Sequence, residues 1–559
     1  MSKPKVVEGC ITEESRSGRR RWFVILFVLA GVVQLARIGY VRSNTGEMPF
    51  LSANDRSRWC TILALTANGS FVIDDVLEIR DRQTQRRTWY SIDIVQHRGS
   101  DGVHHYYSSK PPLLTTLYAG VYWLVRSVTG ATLTGQPFLV VRTMLVIVNL
   151  LPLMGLWWLL MRWADQHWLS DGQAVTLAIF AVLGTFLSTF VITLNNHLPA
   201  AVGAAVSLVC LLRILVDNHQ HPGWFILCGL ATSFMVACEL PALSWLLMVG
   251  TLLCLVNWRR TLAVYLPSAL PILFAFLGMN YLAHGTIRPA YSMRGLGKLI
   301  AETNWPLIAN ENDSNATDGN LSTSARAIPS ELVGIGPAMV AGILRNEGFE
   351  LSPEPIIRKA RRDGVWELWD ETSQWKFALK PSDDGKRLGI YHWGDWYDFP
   401  TSYWKDDRKQ GVDRGEPSRL RYAAHCLIGH HGILSLTPFW LVSLAGVMWI
   451  VIRTPQANWW TDREFQLTVA IALTSAIVVG FYIARPLEDR NYGGVTSGLR
   501  WMFWFVPLWF WLAVRGIRLV HGRWLWMLVM ILLAISVFSA TYPWSNPWTN
   551  PWLTRWVPL

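Results

Sequence analysis

Two adjacent carboxylates, Asp74 and Asp75, open a polar stretch, FVIDDVLEIRDRQTQRRTWYSIDIVQHRGSDGVHHYYSSKPP (71–112), in a chain that is otherwise mostly apolar. Acids are favoured in the first turn of a helix, so the pair can serve as the cap of a helix running through VLEIRDRQTQRR. On a membrane surface facing other polar clusters, a carboxylate also suits the general base that deprotonates a hydroxyl or amine nucleophile. At the far end stands Lys110, after Tyr107 and Ser109 and before two prolines that hold it extended and start a helix. A helix start presents free N–H groups and a positive dipole end, and a lysine beside it makes a site for phosphate. An interfacial lysine that snorkels leaves the same trace in the sequence.

Four further clusters carry candidate binding residues. Asn195, Asn196 and His197 form a polar turn between two apolar runs, where helix capping is the simpler role. Glu239, followed by Pro241, is an acid at or near membrane depth, where ionisable groups are expensive and default to function. RLRYAAHCLIGHHGILSLTPFW (419–440) brings His425, His430 and His431 to the start of a span. Adjacent histidines diverge on a helix and make poor co-ligands, so no metal site is assigned, although a divalent ion shared with the Asp pair stays open. Last, RPLEDRNYGGVTSGLRWMFWF (485–505) is a Gly-rich loop containing Tyr492 and ending at Arg500. Its glycines permit close backbone approach to a ligand, and the guanidinium suits phosphate oxygens.

The elements that must position these groups are membrane helices. Of 559 residues, 51% are hydrophobic and only 16% charged, against roughly a quarter charged in soluble domains. The net charge of +11 comes from arginines and lysines at span ends, where they set topology and meet anionic lipid. No basic stripe with a reading motif is present, which excludes nucleic acid as a partner. Many of the 32 tryptophans stand at span ends, as an interfacial belt requires. Among the 7 cysteines there is no CxxC pair, and Cys60 with Cys426 is the one outer-side pairing available.

In order, residues 1–21 are a polar cytoplasmic N-terminus closing on Arg19, Arg20 and Arg21 before a retained apolar anchor. A transmembrane core (22–283) contains the first outer loop (43–137), and a soluble insertion (284–432) includes the low-complexity stretch ENDSNATDGNLSTS (311–324). C-terminal transmembrane helices (433–541) precede a Pro- and Trp-rich tail (542–559) suited to the outer interface. The expected fold is all-α and polytopic, with about 11–13 transmembrane helices and an outward-facing insertion. Segment 112–125 is apolar but short. If it does not cross, Arg162, Arg259, Arg260, Arg453, Arg463, Arg515, Arg518 and Arg523 fall on the cytoplasmic side, as the positive-inside rule asks. Loops 43–137, 284–432 and 485–500 then face outward together.

This layout resembles the integral-membrane glycosyltransferases of the C superfamily, which include protein O-mannosyltransferases and the bacterial aminoarabinose transferases. The resemblance rests on Asp74 and Asp75 after the first span, on Ser109, Lys110 and Pro111 at the end of that loop, on the Asn-His turn, on GLATSFMVACELPAL and on NYGGVTSGLRW. The family pair usually ends in Glu, where this chain has Asp75, so the base is either acid. The WWD signature of oligosaccharyltransferases is absent, HWGDWYD (392–398) being a different motif. The resemblance implies an inverting transfer from a polyprenyl-phosphate sugar in a bacterial inner membrane to a protein, lipid or glycan acceptor. Asp74 or Asp75 would be catalytic, Lys110 and Arg500 would bind the donor phosphate, and Tyr107, His197, Glu239, His430 and Tyr492 are substrate-binding candidates. A flippase for a lipid-linked sugar and a non-catalytic assembly subunit remain alternatives, although no paired repeat with broken helices is visible.

Overall fold

The computed structural model describes residues 13–304, 337–362, 364–405 and 408–557. The low-complexity stretch 311–324 and the first twelve residues lie outside them. The chain is mostly helical and divides into two compact units. A helical unit comprises Met1–Leu63, Leu113–Phe276 and Gln410–Leu559, and a sheet unit comprises Ala64–Pro112 and Leu277–Lys409.

Eight helical runs among the described residues are long and apolar enough to cross a membrane. The longest, Leu240–His284, is two helices. Asn257 leaves the helical region (φ −155°, ψ 83°), and Tyr265 Oη reaches back to donate to the Leu246 carbonyl at 2.8 Å, so the chain doubles back there. Two shorter apolar helices, Pro222–Cys238 and Trp440–Arg453, accompany the eight. Pro112–Thr129 is helical but falls outside the set apolar enough to span, in keeping with the ambiguity its sequence carries.

Small residues bring helix backbones together, as membrane packing requires. A Cβ on Gly516 would stand 1.8 Å from the Val442 carbonyl oxygen, and one on Gly446 would stand 2.2 Å from that of Leu512. A Cβ on Gly203 would meet Met235 Cγ at 2.7 Å. That close pairing draws the start of His197–Leu215 against the end of Pro222–Cys238, and so sets His197 beside Glu239.

In the sheet unit a two-stranded ribbon, β1 (Ile94–Arg98) and β2 (His104–Ser108), pairs Ile94 with Ser108 and Arg98 with His104. The Gln96 amide donates to the Trp396 carbonyl at 2.8 Å, and Val95 and Tyr107 share a core with Ala290, Trp396 and Tyr397. Ala64–Pro112 and Leu277–Lys409 therefore fold as one body, not as separate segments. Beyond it lies an antiparallel sheet of β3 (Leu296–Asn304), β4 (Ile356–Lys359), β5 (Trp366–Asp370), β6 (Trp375–Pro381) and β7 (Arg387–Trp393), in spatial order β3-β7-β6-β5-β4. Alternate residues Phe377 and Leu379, and Leu388 and Ile390, turn inward onto Val340 and Leu344 of the helix Pro337–Asn346. Each such side chain contributes about 1.5–3 kcal/mol by burial.

The helix expected through VLEIRDRQTQRR stops after one turn, Asp74–Leu77. Its continuation is a hairpin-like loop closed by a bridge between Arg80 and Arg87. Asp81 is the cause: its Oδ1 accepts from the amides of Gln83 at 2.9 Å and Thr84 at 2.8 Å, a local turn that competes with the helix. Gln85, at φ 56°, completes the reversal.

Candidate active site

In the sheet unit, the turn carrying Asp74 is fastened to β2 by the Ile73 amide, which donates to the Tyr106 carbonyl at 3.0 Å. Asp74 Oδ1 accepts the Tyr106 N–H at 2.6 Å, and its Oδ2 lies 2.6 Å from His105 Nδ1. The other ring nitrogen of His105 lies 2.8 Å from Asp101 Oδ2. A ring that serves two carboxylates donates from both nitrogens, which is the imidazolium form. Burial alone depresses the His105 pKa, but the hydrogen bonds and charges of Asp74 and Asp101 outweigh it and raise it. His105 in turn holds the Asp101 carboxyl below its ordinary range, helped by the Val103 amide.

This seat separates the two acids. The Asp74 side chain is oriented at both oxygens yet 35% exposed, so each oxygen keeps a lone pair open to a ligand. Asp75 is exposed and has no hydrogen bond or ion pair among the described residues. Lys110 is not an isolated cation: its Nζ lies 2.7 Å from Asp93 Oδ2, with the two side chains 19% and 14% exposed. Ser109 Oγ donates to Asp93 Oδ1 at 3.1 Å, fixing that carboxylate. Tyr107 is buried in the ribbon core, its ring stacked on His97 at 4.1 Å, and His97 is stacked on Trp396 at 4.0 Å. Burial pushes the Tyr107 phenol up to about 12 and the His97 imidazole down to about 4.

The helical unit joins three of the predicted residues in one chain of hydrogen bonds. Asn195 Oδ1 caps the helix His197–Leu215 by accepting from the Leu198 amide at 2.9 Å, which leaves the next two residues for other partners. His197 Nδ1 donates to Glu239 Oε1, and Asn196 Nδ2 donates to the same oxygen at 2.6 Å. Arg58 Nη2 donates to Asn196 Oδ1 at 2.7 Å, and Arg58 Nη1 to Asn54 Oδ1 at 3.0 Å. On the other side, Arg500 Nη1 lies 3.0 Å from His197 Nε2, and Arg500 Nε donates to the Gly493 carbonyl at 2.9 Å. Arginine only donates, so Nε2 must accept, and His197 is the neutral Nδ1–H tautomer. One carboxylate thus stands between two guanidiniums, and Arg500 is fixed in place by an uncharged ring.

Gly493 can offer that carbonyl because it sits at φ 94°, a region glycine enters freely. Trp548 of the C-terminal tail covers Arg500 at 5.2 Å and donates from Nε1 to Thr193 Oγ1 at 3.2 Å. The tail therefore packs onto the turn before His197, a role its Pro- and Trp-rich composition does not announce.

His430 and Tyr492 lie together in the helical unit, ring centroids 4.8 Å apart. Tyr492 stacks on His431 at 4.7 Å, and His430 Nδ1 is 2.5 Å from His431 Nδ1, so one ring donates to the other. Burial pushes His430 down to about 4 and holds His431 well below its ordinary range, keeping both neutral. Among the described residues, no three His, Cys, Asp or Glu side chains are placed to hold a metal ion. Cys60 and Cys426 are buried thiols that form no disulfide.

Four members of these networks escape a reading of the sequence: His105, Asp101, Asp93 and Arg58. His105 is one of three histidines in the ribbon, and only the pairing of His97 with His105 tells which one meets Asp74. Arg58 sits in a helix that is polar from Asn54 to Arg58 before its apolar remainder begins.

No protein-family model matches the chain, and no curated protein matches it. Among solved structures it is similar to the archaeal oligosaccharyltransferase AglB from Archaeoglobus fulgidus, in complex with an inhibitory peptide and a dolichol-phosphate. The TM-score is 0.42 and the identity 12%, over 95% of this chain and 56% of that one. The chain spans little more than half the length of that protein.

Proposed function

We propose that this chain is an inverting glycosyltransferase of the membrane, moving a sugar from a polyprenyl-phosphate donor to an acceptor on the outer face. The observation that carries the reading is the seat of Asp74, a carboxylate steered by the Tyr106 amide and by His105 and 35% exposed. In this reading the acceptor oxygen or nitrogen attacks the anomeric carbon as its proton passes to Asp74. The bond from that carbon to the phosphate oxygen breaks, and the lipid phosphate departs with the electron pair. Such a leaving group is already a stable anion and needs electrostatic clamping more than a proton.

Arg500 is assigned to that clamp because its guanidinium is preorganised by His197 and Gly493. Lys110 is assigned to it as well. Its ammonium has three donors, so a phosphate would share it with Asp93. Asp75 is the less oriented acid and is given a supporting role near the acceptor. His197, Glu239, Tyr107, His430 and Tyr492 are assigned to shaping the substrate-binding surroundings. The eight apolar runs support a membrane-embedded donor, since a lipid-linked sugar needs no nucleotide-binding fold.

The experiment is transfer of radiolabelled sugar from a panel of polyprenyl-phosphate sugars to endogenous membrane acceptors, with wild type compared with Asp74→Asn at equal expression. The expected outcome is transfer by wild type and a loss of roughly 100-fold or more in the variant, on the scale of losing a positioned acid–base group. Transfer that survives the substitution refutes Asp74 as the base, and no transfer across the panel refutes the reaction class.

A further inference from the structure

The hairpin that follows the Asp74 turn has no part in the chemistry assigned so far. Residues 80–88 read RDRQTQRRT, and Arg80, Arg82, Arg86 and Arg87 are all exposed. The acids beside them are occupied locally. Asp81 is taken by the amides of Gln83 and Thr84 and by Thr84 Oγ1 at 3.2 Å, and Glu78 pairs with Arg87 at 2.9 Å. Arg80 donates from Nη1 to the Gln85 carbonyl at 3.0 Å, which stiffens the loop without cancelling charge. Arg82 has no carboxylate partner among the described residues.

We propose that this arginine hairpin is the docking site for the acceptor, and that the acceptor is an acidic glycan carrying phosphate or carboxylate groups. The inference rests on the glycosyltransferase reading of the same loop and names its substrate class. Three observations favour a polyanion. Guanidiniums pair with planar or tetrahedral oxyanions through two donors at once, which ammonium groups cannot do. The hairpin is held rigid by the Arg80–Arg87 bridge and the Asp81 turn, so little ordering is needed on binding. It also begins three residues after the Asp74–Leu77 turn, so a polymer held there lies along the chain from the proposed base.

A bilayer is the rival partner, and the composition of the hairpin speaks against it. Elements that lodge in a membrane interface combine basic residues with Trp, Phe or Leu. Residues 80–88 contain none.

The test uses the full-length protein in nanodiscs of neutral lipid. The probes are fluorescein-labelled polygalacturonate oligomers, poly(glycerol phosphate) of matched length and neutral dextran. Vesicles of phosphatidylglycerol form a separate arm. Wild type is expected to bind both acidic polymers and not dextran, with affinity falling steeply between low and physiological salt. Arg82→Gln with Arg86→Gln is expected to weaken that binding about 5-fold, and the matching double Glu variant by about 10-fold or more, as exposed charge pairs permit. Melting temperatures of both variants should equal that of wild type. Unchanged binding in both variants overturns the proposal, as does equal binding of dextran or binding to the anionic vesicles alone. Asp74→Asn should bind the acidic polymers like wild type, so a failure of the catalytic reading and a failure of the docking site give different results.

Discussion

Removing the Glu239 carboxylate tests the hydrogen-bonded chain that holds Arg500. Glu239 is 6% exposed and accepts from Asn196 at 2.6 Å and from His197. Two hydrogen bonds to a charged group at ~1.5–3 kcal/mol each place Glu239→Ala at about 3–6 kcal/mol of destabilisation. That agrees with the ~3–5 kcal/mol typical of deleting one partner from a buried ionic group. Glu239→Gln keeps an acceptor oxygen for His197 and loses only the charge, so about half the effect is expected. Thermal unfolding in detergent, followed with a thiol-reactive dye, reads this directly, because Cys60, Cys210, Cys228, Cys238 and Cys426 are buried thiols that form no disulfide. Glu239→Ala should melt roughly 3–8 °C below wild type. A variant that melts within about 1 °C of wild type would refute the argument that this carboxylate anchors the hydrogen-bonded chain holding Arg500.

The remaining predictions concern His105 and a helix contact. The folded-state pKa of His105 is raised, so its stabilising contribution is complete below the unfolded value of ~6.5 and is lost as pH rises through the folded value. The gap in melting temperature between wild type and His105→Gln should therefore be wider at pH 6 than at pH 9, and a gap that grows with pH would show that His105 does not bridge Asp74 and Asp101 as a cation. Gly516→Ala places a Cβ 1.8 Å from the Val442 carbonyl and should abolish the monodisperse detergent-solubilised protein. Gly480→Ala, with nothing within 4 Å of its Cβ, should leave it intact, and equal yields of the two would contradict the close packing described.

The membrane helices are readable in the sequence because a hydrocarbon solvent fixes both their length and their composition. That logic finds the apolar runs on either side of the Asn195, Asn196 and His197 turn, and it flags Glu239 as an acid in the wrong solvent. It failed where a single side chain decides. Asp81 diverts the backbone into a turn in the middle of a segment whose charge pattern suits a helix, and nothing in the pattern distinguishes it from a solvated acid. The ribbon and the sheet hid for another reason: β1 is completed by Trp396, three hundred residues later in the chain. The acids of the site show the same split. Asp74 and Asp75 look equivalent as letters, and only the strand register that places His105 and the Tyr106 amide beside one of them makes them different. Lys110 was legible as a cation at a helix start, but its partner Asp93 depends on the same ribbon.

That the sheet unit is assembled from Ala64–Pro112 and Leu277–Lys409 also sets a timetable. At ~5–20 residues per second, the stretch from Pro112 to Leu277 takes roughly 8–30 s to synthesise. Throughout that interval the nascent ribbon, with Val95 and Tyr107, has no Trp396 or Tyr397 to cover it. The loop bearing Asp74 is made early and finished late. A cell making this protein must shield that apolar face while several membrane helices are inserted, and a chain truncated before Trp396 would display it permanently to the quality-control proteases that recognise such surfaces.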